Sequence, residues 1–443
     1  RPAAVYTAAQ HYGGNDMSES GSFKDVRREV AYAYENVKFF KAHMEASSLQ
    51  PDDINTLTDF KRIPVTRKLH YRRNYPSGVL AAGFTLTGPH VMRFQSSGTS
   101  GERLNSAILS YDLARRQATS MSVNVKFNAL WRPGARPRIC RYAPPNCSDV
   151  ECGIGLTTME ERTLADGTLV LPVAHDLLAT PARMITQALD EIAAYDPEIL
   201  VVDPTHLAFL VREANKLGRT ITTTKTLHIV CGYTHLTQVA RRQIRHFFGD
   251  ETPIGNMLGM SELGYLGFEC HHGGLHINNQ DFFLEFLNEE RETALDEIGE
   301  LVISTIDDSL LPRIRYATGD LYRLLSTPCS CGATLPLVTI EGRSTHNIIR
   351  KNGGIVTPAD VDLAVADCPT IDLYKLEQDE AGCLRFRYIL NQAPSPDLLA
   401  LQQRISALCQ TRDIIFEAVD YIACERSGKF QSCISRYNGA SHP

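Results

Sequence analysis

Apolar residues spaced three and four apart alternate with short β-branched runs over the first two thirds of the chain. Residues 24–46 carry Val26, Val30, Tyr32, Tyr34, Val37, Phe39 and Phe40 among charges, which predicts one helix. A helix start follows at Pro51-Asp52-Asp53-Ile54, and Val91-Met92-Arg93-Phe94 has the look of a short strand. From there the pattern predicts helix over 111–130, strand over 136–142, helix over 181–195 and a buried strand over 197–204. Helix 205–217, strand 225–231 and helix 237–248 continue it. Such alternation indicates an α/β sheet fold. After Leu275 the texture changes to antiparallel strands at 276–277, 282–286 and 299–304. The segment from Gly342 onward has strands and helices of its own and reads as a small α+β domain.

At 443 residues the chain is long enough for two or three domains. A net charge of −6 argues against a polyanion-binding surface, and nucleic acid is not an expected partner. No apolar run approaches the about 18 residues of a membrane span. The start, Arg1-Pro2-Ala3-Ala4-Val5-Tyr6, has neither an initiator Met nor a signal-like apolar core, so the expectation is a trimmed cytoplasmic protein. Twelve scattered cysteines point to reduced thiols, some binding metal, over a disulfide framework.

One stretch stands out: Arg93-Phe94-Gln95-Ser96-Ser97-Gly98-Thr99-Ser100-Gly101-Glu102. Hydroxyls and glycines crowd the positions from Ser96 to Gly101, where a turning backbone can aim successive N–H groups at a polyphosphate. Alone it is an ordinary solvated loop, without the Gly-Lys-Ser/Thr ending of a Walker loop. Four later stretches change its meaning. They are Leu258-Gly259-Met260-Ser261-Glu262-Leu263-Gly264, Arg315-Tyr316-Ala317-Thr318-Gly319-Asp320-Leu321, Glu341-Gly342-Arg343-Ser344 and Ser427-Gly428-Lys429-Phe430.

In order and separation these five resemble the adenylate-forming superfamily of acyl-CoA synthetases and adenylation domains, most of all its phenylacetate–CoA ligase-like branch. The resemblance runs from about Tyr34 to Lys429. It implies a large adenylating domain of mixed α/β layers with a β-subdomain over 1–342, followed by a small mobile α+β lid over 343–443. It also implies that a carboxylic acid, of aryl type, attacks ATP to give acyl-AMP, and that the acyl group then passes to the thiol of CoA. A phosphopantetheine carrier protein or an amine is the alternative acceptor, and a non-catalytic nucleotide-binding protein is the alternative of another class.

The implied roles match what the chemistry requires. Ser96, Ser97, Gly98, Thr99, Ser100 and Gly101 would hold the outer phosphates of ATP, with Gly232 on the nucleotide wall. Glu262 would bind Mg²⁺, a hard cation suited to carboxylate oxygen. Asp320 would accept hydrogen bonds from the ribose diol. Arg343 would sit at the domain junction near ribose or phosphate, and Lys429 would bridge the acid and the α-phosphate. Tyr142, Tyr233, Met257, Gly259 and Tyr265 are candidates to line the acyl pocket. The expected assembly is a monomer or homodimer.

Some positions depart from the branch. Ser100 stands for a second Thr, Tyr233-Thr234 for Ala-Glu, Thr345-His346 for paired acids, and Ile355 for Asn. A further group is independent of nucleotide chemistry. Cys270-His271-His272-Gly273-Gly274-Leu275-His276 and Cys329-Ser330-Cys331 offer three thiols and an imidazole, which suit a closed tetrahedral Zn²⁺ site. The expected ligands are Cys270, His276, Cys329 and Cys331, with His271 or His272 as substitutes for His276, in a structural role.

Overall fold

A computed structural model describes residues 21–96, 103–130, 135–144, 157–289, 291–391 and 396–437. Two compact units emerge, one built from residues up to 129 with 257–340, the other from 130–256 with 341–443. The chain passes from the first unit to the second at 340/341, two residues from the expected 342/343 boundary, and the second unit also takes in 130–256.

In the first unit the expected 24–46 helix is two helices, Gly21–Asn36 and Lys38–Glu45. Val37 between them is extended, with φ −114° and ψ 109°. It remains buried, so the apolar stripe Val26, Val30, Ala33, Val37, Phe40 and Met44 continues across the break. The stripe packs on Phe60, Ile63, Phe283, Ile306 and Ile314. Apolar burial of this kind contributes about 25 cal/mol per Å² and outweighs the local cost of the break. The antiparallel strands expected after Leu275 are present. Phe282–Asn288 pairs with Ile298–Thr305, which pairs with Tyr316–Leu324. Gly264–Glu269 pairs with Leu275–Ile277, and the latter with Leu337 and Val338. The strands Val91–Gln95 and Asn105–Leu109 form a separate hairpin.

In the second unit a parallel sheet runs in the order Leu169–Val170, Ile139–Tyr142, Ile199–Val202, His228–Cys231 and then residues 254–256. Short runs such as Ile199-Leu200-Val201-Val202 are almost wholly buried, as a sheet covered on both faces requires. Helices Ala182–Tyr195, Pro204–Lys216 and Gln238–Phe248 connect them, each within one residue of its expected start. Asp203 starts the second of these, its carboxylate accepting from the amides of Thr205 and His206 with Pro204 in the first turn. The C-terminal part has a four-stranded sheet in the order Ile414–Ala418, Leu384–Leu390, Ile371–Gln378, Cys433–Ser435, with helices Pro358–Ala366 and Pro396–Cys409. Among the described residues no helix is long and apolar enough to cross a membrane.

Candidate functional site

The hairpin that opens the Ser/Gly loop is closed at its base by two hydrogen bonds. The Ser96 amide donates to the Leu104 carbonyl at 2.8 Å, and the Leu104 amide donates to Ser96 Oγ at 2.8 Å. Residues 97–101, which include Ser97, Gly98, Thr99, Ser100 and Gly101, lie outside the described residues.

Glu262 occupies the turn between residues 257–260 and strand Gly264–Glu269, where Met260 faces Gly264 and Gly259 faces Tyr265. Its side chain is buried at 2% exposure. Lys68 Nζ lies 3.0 Å from Glu262 Oε1, and the Tyr316 hydroxyl donates to the same oxygen at 3.3 Å. Burial by itself would push this carboxyl up. The cationic Lys68 and, further off, Arg313 more than offset it and hold Glu262 below the ordinary carboxylate value. A buried carboxylate kept charged fits a hard divalent cation in its role. Lys68 was not marked in the sequence. It opens the short helix Lys68–Asn74 directly after the Pro64 break, with no motif to advertise it.

The Thr318-Gly319-Asp320 stretch lies in strand Tyr316–Leu324 where its register with Ile298–Thr305 slips, and it does not form a hairpin end. Thr318 Oγ1 donates to the Leu301 carbonyl at 2.8 Å and accepts from the Asp320 amide at 3.1 Å. The Gly319 amide donates to Glu300 Oε1 at 3.0 Å. Asp320 is left half-buried. Arg315, in the same motif, is a framework residue. It pairs with buried Glu285 at 3.0 Å and donates to the carbonyls of Lys61 and Ile63.

The remaining expected residues divide between the units. Half-buried Met257, exposed Gly259 and half-buried Tyr265 belong to the first. In the second, Gly232 ends strand His228–Cys231, its amide donating to the Val202 carbonyl. Tyr233 follows with φ +67°, a left-handed conformation costly for an aromatic residue. Thr234 donates to Asp203 Oδ2 at 2.8 Å. Tyr142 is fully buried in the core of this unit, and its hydroxyl has no hydrogen-bond partner among the described residues. Arg343 ends strand Leu337–Arg343. Its charge adds to burial in depressing His346 to about 4, so the departure at 346 places a neutral ring where acids are usual.

Lys429 lies in a tight loop. Its carbonyl accepts from the Glu425 amide at 2.9 Å, and its amide donates to Ser427 Oγ at 3.4 Å. Gly428 has φ +76°, and a Cβ there would come within 2.7 Å of Pro144 Cβ and 3.0 Å of the His175 carbonyl. Only glycine fits that approach. Lys429 is half-buried and has no acidic partner among the described residues.

Cys270, His276, Cys329 and Cys331 come together with ligand atoms all within 4.8 Å of one another. Cys270 Sγ and Cys329 Sγ are 3.6 Å apart, and Cys331 Sγ is 3.3 Å from His276 Nε2. A tetrahedral zinc with bonds of about 2.3 Å to sulfur would separate its ligands by about 3.8 Å. His276 Nδ1 donates to the Leu335 carbonyl at 2.7 Å, leaving Nε2 bare and turned to the thiols. Gly274 supports the cradle. A Cβ there would stand 3.0 Å from Cys329 Sγ and 3.5 Å from Cys270 Sγ. His271 and His272 are exposed, with rings 4.3 Å apart, and are not members of the group.

The fold is that of adenylate-forming ligases. It superposes with a TM-score of 0.68 on a solved 2-hydroxyisobutyryl-CoA ligase in its post-adenylation state, at 16% identity, over 94% of this chain and 89% of that one. No family profile matches the chain. By sequence it is 28% identical over 354 residues to the phenylacetate–coenzyme A ligase of Thermus thermophilus, covering 78% of this chain and 74% of that protein. The enzyme of the same name from Escherichia coli is 27% identical over 364 residues, 80% of this chain and 78% of that protein. The chain thus has the fold of adenylate-forming ligases and is similar in sequence to phenylacetate–CoA ligases.

Proposed function

We propose that this chain activates a carboxylic acid with ATP and transfers the acyl group to CoA. The acid's carboxylate oxygen bonds to the α-phosphorus of ATP as the bond to pyrophosphate breaks. The sulfur of CoA then bonds to the acyl carbon, releasing AMP. The observation that carries the reading is the buried Glu262 carboxylate, held charged by Lys68, in a chain whose sequence relatives are phenylacetate–CoA ligases. Bound Mg²⁺ would neutralise phosphate charge, and Glu262 is the residue to hold it. In this reading Ser96–Gly101 grips the outer phosphates, Asp320 receives the ribose hydroxyls, and Arg343 and Lys429 meet the charge developing at the α-phosphate. Tyr142, Gly232, Tyr233, Met257, Gly259 and Tyr265 belong to the nucleotide and acyl walls. An aryl acid suits that aromatic set. The segment 343–443 acts as a lid that turns between the two steps, and the enzyme works in the cytoplasm.

Zinc at Cys270, His276, Cys329 and Cys331 is structural in this proposal, because four protein ligands close the coordination sphere. Pyrophosphate exchange with a panel of aryl acids tests adenylation. Exchange is expected with at least one acid, and Lys429→Ala is expected to reduce it more than 100-fold. Retained exchange in that variant overturns the role of Lys429. ATP binding without exchange for any acid would leave a non-catalytic nucleotide-binding protein. Product analysis with CoA, a phosphopantetheine carrier and amines decides the acceptor.

A further inference from the structure

The helix Gln238–Phe248 turns two polar side chains, Arg242 and Gln243, to the C-terminal segment of its own unit. Arg242 donates to three carbonyls, those of Ala366 at 3.0 Å, Cys368 at 3.2 Å and Ile371 at 3.1 Å. Gln243 Nε2 donates to the Asp372 carbonyl at 3.1 Å and to its Oδ1 at 2.8 Å. Arg212 approaches Asp372 Oδ2 at 3.5 Å. At the helix start, the Gln238 amide donates to both carboxylate oxygens of buried Asp362 at 3.0 Å, and the Tyr374 hydroxyl donates to that carboxylate at 2.8 Å. Val239 is the apolar centre of this face, seated among the core residues of the C-terminal segment. A face of this composition, with hydrogen bonds around one apolar knob, resembles a separable interface more than a permanent core.

What the helix grips leads directly to Lys429. Arg242 and Gln243 hold Ile371 and Asp372, the first two residues of strand Ile371–Gln378. Next in that strand, Leu373 packs with Ile422 and Phe430. Lys375 donates to Glu425 at 3.2 Å and lies 5.9 Å above the Phe430 ring. Glu425 and Phe430 bracket Lys429.

We infer that Arg242 is a positioning residue for the adenylation step, latching the C-terminal segment so that the loop of Lys429 is held in place. The inference rests on the ligase reading above. Three carbonyls converge on one guanidinium, and a planar fork of donors supplies all three bonds at once. If the lid turns for thioester formation, these bonds break. Arg242 therefore serves the first step and not the second.

The test separates the two half-reactions. In Arg242→Ala, acid-dependent pyrophosphate exchange should fall at least 10-fold through kcat, with KM for ATP little changed. Thioester formation from supplied acyl-AMP and CoA should stay within about twofold of wild type, and Arg242→Lys should restore part of the exchange rate. Equal loss of both half-reactions, or unchanged exchange, overturns the inference. Hydrogen–deuterium exchange on the full chain gives a readout that needs no turnover. Arg242→Ala should raise exchange over 358–372 and 425–430 while the thermal midpoint holds within a few degrees. Unchanged protection there overturns the latch. Absence of pyrophosphate exchange in the wild type defeats the ligase reading, while the deuterium measurement still decides whether the latch exists.

Discussion

At the scale of single residues, the decisive pair is Lys68 with Glu262. The carboxylate is buried and the lysine keeps 25% of its side-chain surface. Removing the cation would leave a buried charge whose desolvation only the more distant Arg313 and the Tyr316 hydroxyl oppose. Lys68→Met should cost roughly 2–4 kcal/mol at pH 7, somewhat below the loss for a fully buried pair. The sign with pH is fixed. Because the folded carboxyl lies below its ordinary value of 4.5, its contribution is present above that value and is lost as pH falls through the folded pKa. In the variant the carboxyl moves up instead, so the stability gap should narrow as pH falls from 7 to 4. Urea denaturation of both proteins across that range checks it, and a constant gap would assign the lysine a role other than holding Glu262 charged. Sequence pointed to Glu262 through its motif neighbours but was blind to Lys68. A lysine after a Pro-bounded extended stretch is bland until the chain brings it beside a distant carboxylate.

At the scale of elements, the cradle of three thiols and one imidazole ties together the ends of neighbouring strands. Cys270 follows strand Gly264–Glu269, and His276 lies in Leu275–Ile277. Cys329 and Cys331 sit in the connection from Tyr316–Leu324 to Leu337–Arg343. Purified protein should carry one zinc per chain by metal analysis. Cys329→Ser should lose most of it and unfold at a thermal midpoint several degrees lower, since a closed structural zinc contributes to folding directly. Wild type without zinc would reduce the group to one buried thiol, two half-buried ones and an imidazole. The residue types and their order were legible in the sequence. The choice of His276 over His271 and His272 was not, because it depends on strand pairing. Alternation along Leu275–Ile277 turns His276 inward against the Leu335 carbonyl, while the preceding turn leaves the other two in solvent. The broken N-terminal helix is a similar case. Its apolar stripe was visible, but Val37 adopts an extended conformation to keep that stripe on the core.

At the scale of the whole molecule, Glu29 ties the first helix to the corner after strand Ile298–Thr305. It accepts from Thr305 Oγ1 at 3.0 Å and from the Asp308 amide at 3.1 Å. Burial, then the nearby Asp308 charge, push its carboxyl up to about 8. Between its ordinary value of 4.5 and about 8, the folded protein binds a proton that the unfolded chain releases, so this group makes stability fall as pH rises. Glu29→Gln keeps an acceptor oxygen and removes the titration. It should be more stable than wild type at pH 8 by a few kcal/mol and should flatten the pH dependence between 5 and 8. Calorimetric scans of the two proteins at both pH values check this, and parallel profiles would refute it. By itself the sequence determined the α/β alternation, the later antiparallel strands and the order of the five motifs. These follow from hydrophobic period and local turn chemistry, which neighbouring residues encode. Only the tertiary structure decided that Lys68 holds Glu262 charged, that His276 joins the three thiols, and that Arg242 meets three carbonyls near the strand that supports Lys429. Those pairings join residues far apart in the chain, and their geometry comes from packing and strand register, which no local pattern contains.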